Sequence, residues 1–458
     1  MKNLEIPALY DIFRTCSGVS TDSRKIEKGT MFLALKGENF NGNHFAVGAL
    51  EQGASYAVID DEEVYNANGH LHQQLLLVED VLVALQQLAR YNRLQFKIPV
   101  IGLTGTNGKT TTKELITAAL SAKYRVVSTL GNLNNHIGVP LTLLRIGPDT
   151  QVAVIEMGAS APGEINLLSS LVCPSFGLVT NVGKAHLLGF GSFDGVKAAK
   201  GELYDNLVAH KKIAFVNVDN PHLLDMAHKR PNLHIVPYGI KNNCVRIIKE
   251  NNGDPFLKIT VPNPCIEAAS VGEPMEVTIQ TRLIGDYNTD NVLAALCIST
   301  YFDVPTVQAV AAIEAYQPSN NRSQMTRTEH NTLIIDAYNA NPTSMAASLE
   351  NFRGIKAEKK VLVLGDMLEL GADSLKEHSA IVELALSLNA EKVLFVGGEF
   401  KAAVAQLDKD GGFDGRRVTL FEDSVALRDW LVQNGLQGAT ILIKGSRGTR
   451  LERIFDVL

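Results

Sequence analysis

The sequence of 458 residues is short of three features: an excess of positive charge, long apolar runs and closely spaced cysteines. Its net charge of -6 and isoelectric point near 6.0 argue against a surface built to bind a phosphate backbone, so we expect no nucleic-acid partner. No window approaches the roughly 18 uninterrupted apolar residues of a membrane span, and the N-terminal residues carry acidic side chains instead of a long apolar segment. We therefore expect neither a signal peptide nor membrane insertion.

The cysteines are far apart, with no Cys-x-x-Cys pair. Their odd number and their spacing suit neither a zinc site nor a disulfide framework, which indicates a reducing compartment. Because no targeting segment is expected, this predicts a cytoplasmic protein. The five cysteines are Cys16, Cys173, Cys244, Cys265 and Cys297.

The chain is too long for one hydrophobic core, and at roughly 100–200 residues per domain it predicts two to four domains. Short apolar runs that end in polar or glycine-rich loops alternate with helical patterns, which predicts an α/β fold. We predict three domains: a small α/β domain (residues 1–96), a central domain with a phosphate loop and a mostly parallel sheet (97–316), and a C-terminal Rossmann-like domain (317–458). The alternating pattern of residues 245–285 favours an antiparallel patch in the central domain.

The stretch "IGLTGTNGKTTTKEL" (residues 101–115) joins an apolar run to a helical pattern through a glycine-rich loop. Glycines let backbone N–H groups approach phosphates, and a helix N-terminus adds a positive dipole. Lys109 is expected to reach the β- and γ-phosphates, and the Thr110 hydroxyl to face Mg²⁺. The spacing departs from GxxxxGK[ST], because Leu103 stands at its first position, and a glycine-rich turn with a chance Lys-Thr pair is the alternative. The pattern predicts a nucleoside triphosphate site.

Two further candidates follow predicted strands of the central domain. Glu156 ends one strand, where its carboxylate could coordinate Mg²⁺, and His186 lies beyond another. Because parallel topology brings strand ends to one edge, we expect both beside the phosphate loop. A solvated loop glutamate and a structural histidine are the alternatives. By pattern alone, Lys197 and Lys200 are expected on an exposed helix face.

Six motifs occur in order along the chain and together resemble those of the Mur ligases of peptidoglycan synthesis. The resemblance implies ATP-dependent amide formation through an acyl phosphate, with ATP and Mg²⁺ as cofactors. Within that family the motifs are most similar to those of the member that adds D-alanyl-D-alanine to UDP-N-acetylmuramoyl-tripeptide. "GTNGKT" alone is shared with folylpolyglutamate synthase, so another such ligase is an alternative, and a nucleotide-binding switch is a second. The motifs are "GTNGKTT", "IEMGAS", "TNVGKAHLLGFGSFDGVKAAKGEL", "DAYNANPTSM", "LGDMLELG" and "KGSRGTRLE".

The resemblance implies an ATP and metal site between the central and third domains. Arg322 matches an arginine near the γ-phosphate, and Lys200 matches a lysine whose carbamate orients a magnesium ion. Lys109, Lys200, His186 and Arg322 are thus expected to be catalytic, and Thr110, Glu156, His186 and Lys200 to serve the metal. The implied ATP-binding residues are Gly105, Thr106, Asn107, Gly108, Lys109, Thr110, Thr111, Asn288, Asn291, Arg322, Asp336, Tyr338 and Asn339, with Asn341 in the same segment as the last three.

The first domain is implied to hold the UDP end of the substrate, and the third to hold the incoming dipeptide. The two substrates, UDP-N-acetylmuramoyl-tripeptide and D-alanyl-D-alanine, are the expected partners of a monomeric enzyme. Departures from the family pattern are Tyr287, where histidine is usual, and Lys184, where many relatives have glutamate. The implied dipeptide residues are Lys444, Ser446 and Arg447. The implied UDP-substrate residues are Asp22, Ser23, Arg24, Lys36, Gly37, Asn39, Phe40, His44 and Phe45, with Asn134, Asn135 and His136 along the muramoyl-peptide.

Overall fold

The structure is a computed structural model that describes residues 4–243, 245–248, 255–262, 276–318, 321–408 and 417–458. Cys244, Cys265 and part of the predicted antiparallel patch lie outside the described residues. The three described cysteines are free thiols. No helix among the described residues has the length and apolar character that crossing a membrane requires.

Residues 4–95 form a parallel sheet with strand order β1-β2-β5-β6, flanked by helices. A short antiparallel hairpin, β3–β4, follows the carboxyl end of β2. Because β1 and β2 are parallel neighbours, the loop after β1 and this hairpin lie at the same edge of the sheet. The elements are α1 (Ile6–Phe13), β1 (Val19–Ser20), β2 (Met31–Leu33), β3 (Lys36–Gly37), β4 (Phe40–Asn41), α2 (Ala46–Glu51), β5 (Tyr56–Ile59), α3 (Glu62–Ala67), β6 (Leu75–Leu77) and α4 (Val81–Gln95).

Residues 100–238 form a parallel sheet of order β12-β11-β10-β7-β9-β8. The phosphate loop joins its strand β7 to helix α5. The elements are β7 (Val100–Thr104), α5 (Lys109–Ser121), β8 (Val126–Ser128), α6 (Gly138–Leu143), β9 (Val152–Glu156), α7 (Glu164–Val172), β10 (Phe176–Val179), α8 (Leu187–Phe190), α9 (Phe193–Ala209), β11 (Ile213–Asn217), α10 (Pro221–His228) and β12 (His234–Tyr238).

The predicted antiparallel patch is present in its described part. Strands β13 and β15 each pair with β14 in antiparallel register, and two helices follow. The elements are β13 (Arg246–Ile248), β14 (Phe256–Pro262), β15 (Glu276–Ile284), α11 (Thr289–Tyr301) and α12 (Thr306–Ala315).

The described residues from 324 to 444 form a sheet of order β16-β17-β21-β18-β19-β20, parallel except for the edge strand β16. Its helices lie on both faces, as in a Rossmann-like fold. The elements are β16 (Gln324–Arg327), β17 (Thr332–Asp336), α13 (Pro342–Gly354), β18 (Lys359–Gly365), α14 (Ser374–Ser387), β19 (Lys392–Val396), α15 (Gly398–Leu407), β20 (Val418–Phe421), α16 (Ser424–Asn434) and β21 (Ala439–Lys444).

Successive residues of the central strands enter different hydrophobic clusters, which explains their nearly continuous apolar sequence. On β9, Ala153 and Ile155 join one cluster, whereas Val152 and Val154 join the other. Because both faces of the sheet are covered, the inner strands β7 and β9 are buried throughout. The first cluster also contains residues of α4 and β2, so the first sheet packs directly on the central unit. The α/β class with mostly parallel sheets is confirmed, while the boundaries at 96/97 and 316/317 stay predictions.

Candidate active site

A cavity of 640 Å³ lies at the carboxyl edge of the central sheet, where the phosphate loop meets the third sheet. Most of the predicted nucleotide-site residues line it, together with residues that follow β17. The predicted residues on its wall are Thr106, Asn107, Gly108, Lys109, Thr111, Asn134, Asn135, His136, Glu156, His186, Asn288, Asn291, Arg322, Asp336, Tyr338, Asn339 and Lys444.

Two glycines of the phosphate loop are required by its geometry. Gly108 has φ of 75°, in the left-handed region that favours glycine, and a Cβ there would lie 2.7 Å from Asn291 Oδ1. At Gly105, a Cβ would lie 2.0 Å from the hydroxyl of Thr180. The loop therefore runs against its neighbours without side chains, and helix α5 begins at the next residue after Gly108, Lys109.

Lys109 curls back over this loop. Its ammonium donates to the carbonyl oxygens of Gly105 at 2.8 Å and Thr106 at 3.0 Å. Burial lowers its pKa to about 8, against the opposing attraction of Glu156, and Arg322 lowers it further. A partly buried ammonium that meets mainly neutral carbonyls is suited to receive an anion.

Glu156 is buried at the end of β9 and is held by neutral donors. The Thr110 hydroxyl donates to its Oε2 at 2.9 Å, and the Asn134 amide donates to its Oε1 at 2.8 Å. The first contact joins the two oxygen-bearing residues that were predicted to serve Mg²⁺. The second uses Asn134, which was expected along the muramoyl-peptide instead.

Lys200 is buried, so the interpretation of an exposed helix face is wrong for this residue. Its helix α9 turns it inward, where Nζ donates to the Ala159 carbonyl at 3.3 Å and lies 5.1 Å from the centre of the Phe190 ring. Burial and the nearby Lys109 lower its pKa to about 7. Lys197, one turn earlier, instead pairs with Asp194 at 2.7 Å.

His186 lies at the start of α8, with φ of 50°, and its Nδ1 is hydrogen-bonded to the carboxylate of Glu369 from the third sheet's side of the cavity. Burial is the main cause that lowers the pKa of His186, with Lys109 and Lys200 acting in the same direction and Glu369 opposing them. The His186 ring lies 6.4 Å from the centre of the Phe190 ring, which Lys200 also approaches, so the two side chains share one neighbourhood.

Arg322 enters the cavity from the third domain. Its guanidinium lies 3.6 Å from the centre of the Tyr338 ring, and its Nε is buried with no hydrogen-bond partner in the described structure. An unpartnered buried donor at a cavity wall costs free energy unless a ligand accepts from it. Arg322 is therefore arranged to meet an acceptor group within the cavity.

The predicted dipeptide residues are mostly committed to internal contacts. Lys444 pairs with Asp336 at 2.5 Å across the neighbouring strands β17 and β21. Ser446 is buried and accepts from the Leu368 N–H at 3.1 Å. Arg447 is exposed and lies 5.6 Å from the centre of the Tyr338 ring. Ser446 and Arg447 do not appear on the cavity wall, and their role toward a dipeptide stays a prediction.

Asn288 and Asn291 are joined to each other as well as facing the cavity. Asn291 donates to Asn288 at 2.8 Å and accepts from the Thr112 hydroxyl of α5 at 2.9 Å. Tyr287 also lines the cavity, and its hydroxyl is 3.0 Å from that of Ser323. Desolvation of its hydroxyl raises the pKa of Tyr287, although the residue as a whole is 37% exposed. At this position the tyrosine fills the cavity wall where the family pattern has histidine.

The nine predicted UDP residues of the first domain lie away from this cavity. They gather at the carboxyl edge of the first sheet, after β1 and along the β3–β4 hairpin. Arg24 pairs with Asp22 at 2.8 Å, and Lys36 pairs with Asp60 at 2.9 Å. The ring of Phe40 is 57% exposed, so this edge offers apolar surface beside charges.

Sequence reasoning missed several cavity residues. Asn181 accepts from the Asn107 N–H at 2.9 Å, and Asp290 lies on the wall near the start of α11, where burial raises its pKa. Asn181 stands inside a quoted motif, whereas Asp290 lies outside all six, and a polar residue in a motif does not reveal its partner. Asn341 was expected to contact the nucleotide; its amide donates to Asn107 at 2.7 Å and joins the third domain to the phosphate loop.

No cluster of three or more His, Cys, Asp or Glu ligands is preformed within the described ranges. The donor set nevertheless suits Mg²⁺ beside a triphosphate, since a hydroxyl and a buried carboxylate are hydrogen-bonded at the phosphate loop and substrate phosphates supply further oxygens. Thr110 and Glu156 therefore fit the metal that the sequence predicted.

The fold and the cavity are typical of multidomain nucleotide-binding enzymes, in which a phosphate loop and an arginine from another domain converge on one site. Comparison with known families narrows this class. Residues 15–93 match the "Mur ligase family, catalytic domain" model, residues 103–299 the "Mur ligase middle domain" and residues 321–447 the "Mur ligase, glutamate ligase domain".

The relatives agree with these matches. The chain is 36% identical over 442 residues to the UDP-N-acetylmuramoyl-tripeptide–D-alanyl-D-alanine ligase of Bacillus subtilis, covering 95% of this chain and 92% of that protein. MurF from Acinetobacter baumannii superposes with a TM-score of 0.82 at 28% identity, covering 100% and 98%. MurF from Thermotoga maritima in complex with ADP gives 0.80 at 25% identity, covering 97% of each chain. The chain belongs to the Mur ligase family.

Proposed function

We propose that this Mur ligase uses ATP to join D-alanyl-D-alanine to the terminal carboxylate of UDP-N-acetylmuramoyl-tripeptide in cytoplasmic peptidoglycan synthesis. The Bacillus subtilis relative carries this activity in its name, and the alignment spans nearly the whole of both chains. The observation that carries the proposal is the cavity in which Lys109, Glu156 and Arg322 converge from two domains.

A carboxylate is a poor electrophile, so the reaction needs activation. A carboxylate oxygen of the tripeptide attacks the γ-phosphorus of ATP, a new P–O bond forms, and the bond to ADP breaks. The amine of the dipeptide then attacks the acyl phosphate, loses a proton, and inorganic phosphate leaves as the amide forms. Lys109 and Arg322 would neutralise the charge of the phosphoryl group as it moves.

ATP would lie with its phosphates over the phosphate loop, as ADP binding by the Thermotoga maritima relative supports. Asn288, Asn291, Asp336, Tyr338 and Asn339 are proposed to contact the rest of the nucleotide. Mg²⁺ would be held by Thr110, Glu156 and His186, and it would supply positive charge to the transferred phosphoryl group.

Lys200 is proposed to act as a carbamate. Its lowered pKa, about 7, makes the neutral amine available near physiological pH, and only that form adds CO₂. Carbamylation would convert a buried cation among other cations into an anion that favours the metal.

The first domain is proposed to bind the UDP end of the substrate at the edge that carries Phe40 and Arg24. Arg447, the exposed cation near Tyr338, is the best remaining candidate for the dipeptide carboxylate, because Lys444 already pairs with Asp336. A monomer acting on these small molecules stays a prediction.

The test is a product assay with UDP-N-acetylmuramoyl-tripeptide and ATP, with and without D-alanyl-D-alanine. We expect phosphate release that depends on the dipeptide, and a product whose mass contains the added dipeptide. Replacing the substrates by a folate and glutamate tests the alternative activity, that of a folylpolyglutamate synthase. Phosphate release that ignores the dipeptide, with no mass gain, would refute the proposed activity.

A further inference from the structure

The loop that carries His186 meets the third domain at three points. Lys184 pairs with Glu377 at 2.6 Å, the Leu188 N–H donates to the Glu369 carbonyl at 3.3 Å, and the His186 ring bonds the Glu369 carboxylate. The departure at Lys184 therefore forms an ion pair between domains. Of these contacts, the pair of His186 and Glu369 is the one that reaches the cavity wall.

Both members of this pair have unusual backbone conformations. His186 has φ of 50° and Glu369 has φ of 65°, in the left-handed region that costs non-glycine residues of order 1 kcal/mol or more. Such conformations persist only when neighbouring contacts hold them. Two strained residues that face each other across a domain boundary point to a defined role for their side chains.

The loop that presents Glu369 is anchored on both sides. The Met367 N–H donates to His378 at 3.0 Å, the Leu368 N–H donates to Ser446 at 3.1 Å, and Leu370 is buried. Ser446, predicted to bind the dipeptide, thus supports this loop. The carboxylate of Glu369 stands on a rigid platform even though its side chain is half exposed.

The hydrogen bond decides which nitrogen of His186 can serve a ligand. The Glu369 carboxylate oxygen is the acceptor, so in the neutral ring Nδ1 carries the proton and Nε2 keeps a free lone pair. A carboxylate behind a metal-binding histidine is a recurrent way to orient the ring and choose its tautomer.

We propose that Glu369 is a positioning residue that orients His186 toward Mg²⁺, so that the third domain completes the metal site when it docks on the central domain. This inference rests on the proposed function, because it assumes a metal beside His186. The proposal gives a role to the motif "LGDMLELG", none of whose residues lines the cavity. The coupling explains how docking and metal binding can depend on each other.

The experiment measures Mn²⁺ binding by the loss of the free-ion electron paramagnetic resonance signal, with a non-hydrolysable ATP analogue and UDP-tripeptide present. We expect Glu369→Ala to weaken Mn²⁺ binding about 10-fold. Glu369→Gln should stay within about threefold of the wild type, because its amide oxygen still accepts from Nδ1. Glu383→Ala, an exposed glutamate of α14, is the matched control.

Lys184→Ala separates positioning from docking, since it breaks the neighbouring ion pair without touching the ring. If Lys184→Ala and Glu369→Ala weakened Mn²⁺ binding equally, the effect of Glu369 would be explained by domain docking alone. That result would overturn the proposal. Unchanged binding in Glu369→Ala, or a Glu369→Gln loss as large as that of alanine, would also overturn it. If the wild type makes no amide product, the proposed function fails instead, whatever these variants bind.

Discussion

The phosphate-loop edge of the central sheet and the carboxyl edge of the first sheet differ in how they hold their charges. At the phosphate loop, Lys200 and Glu156 are buried and meet mostly neutral partners. At the first sheet, Arg24 and Lys36 are exposed and already paired with carboxylates. This difference indicates that the phosphate-loop edge is suited to chemistry that moves charge. The edge of the first sheet is suited to holding the end of a substrate that does not react.

Lys109→Ala removes the partly buried ammonium over the loop, and this is the largest effect we expect. Loss of a charge that stabilises the moving phosphoryl group should lower kcat about 1000-fold. Steady-state phosphate release measures it, and Lys212→Ala, an exposed lysine of the same domain, serves as the control. If kcat of the folded variant fell by less than about tenfold, the phosphate-loop edge would not be the site of charge-moving chemistry.

Lys200→Ala should lower kcat about 100-fold, because it removes the group proposed to become an anion beside the metal. Short carboxylic acids added to this variant should restore part of the rate by filling the same space with a carboxylate. Turnover at the wild-type rate would show that the buried lysine has only a packing role.

The pKa of Lys200 also predicts a pH dependence of stability. Below pH about 7 the amine is charged in both states, and the cost of burying it is fully present. As the pH rises from 7 toward the unfolded value of 10.5, the unfolded state binds more protons, so stability rises. Relative to Lys200→Met, the wild type should gain about 2 kcal/mol between pH 7 and pH 9 in CO₂-free buffer.

Urea denaturation at both pH values measures this difference. Lys197 is paired with Asp194 at the surface, so the free energy of unfolding of Lys197→Met should depend on pH in the same way as that of the wild type. A difference between wild type and Lys200→Met that stays constant with pH would mean that Lys200 keeps an ordinary pKa.

Phe40→Ala probes the first sheet, where the smallest effect is expected. If Phe40 holds the UDP end as proposed, loss of its ring should raise the KM for the UDP substrate about 10-fold and leave kcat unchanged. The fold should tolerate the change, since the ring is 57% exposed. Val83→Ala, an exposed apolar residue on α4, is the control. A fall in kcat with constant KM would show that the edge of the first sheet also takes part in the chemistry, which would contradict the comparison.

Local patterns were enough to predict much of this molecule. Apolar runs ending in glycine or polar residues located the strands β7, β9 and β17, and the spacing of "GTNGKTT" located the phosphate loop. These features depend on neighbours in sequence, through strand burial, backbone freedom at glycine and the start of a helix. The order of motifs was sufficient to indicate the family.

The long-range partners of the site's side chains were decided by tertiary structure. The local pattern placed Lys200 on an exposed helix face, but in the fold it is buried beside Ala159 and Phe190. The sequence around Lys444 does not predict its ion pair with Asp336, because strands β17 and β21 become neighbours only in the folded sheet. Glu369 and His186 are 183 residues apart and meet through domain docking. Sequence by itself determined the elements and the chemistry available, whereas long-range packing decided which groups are buried, paired or left to receive a ligand.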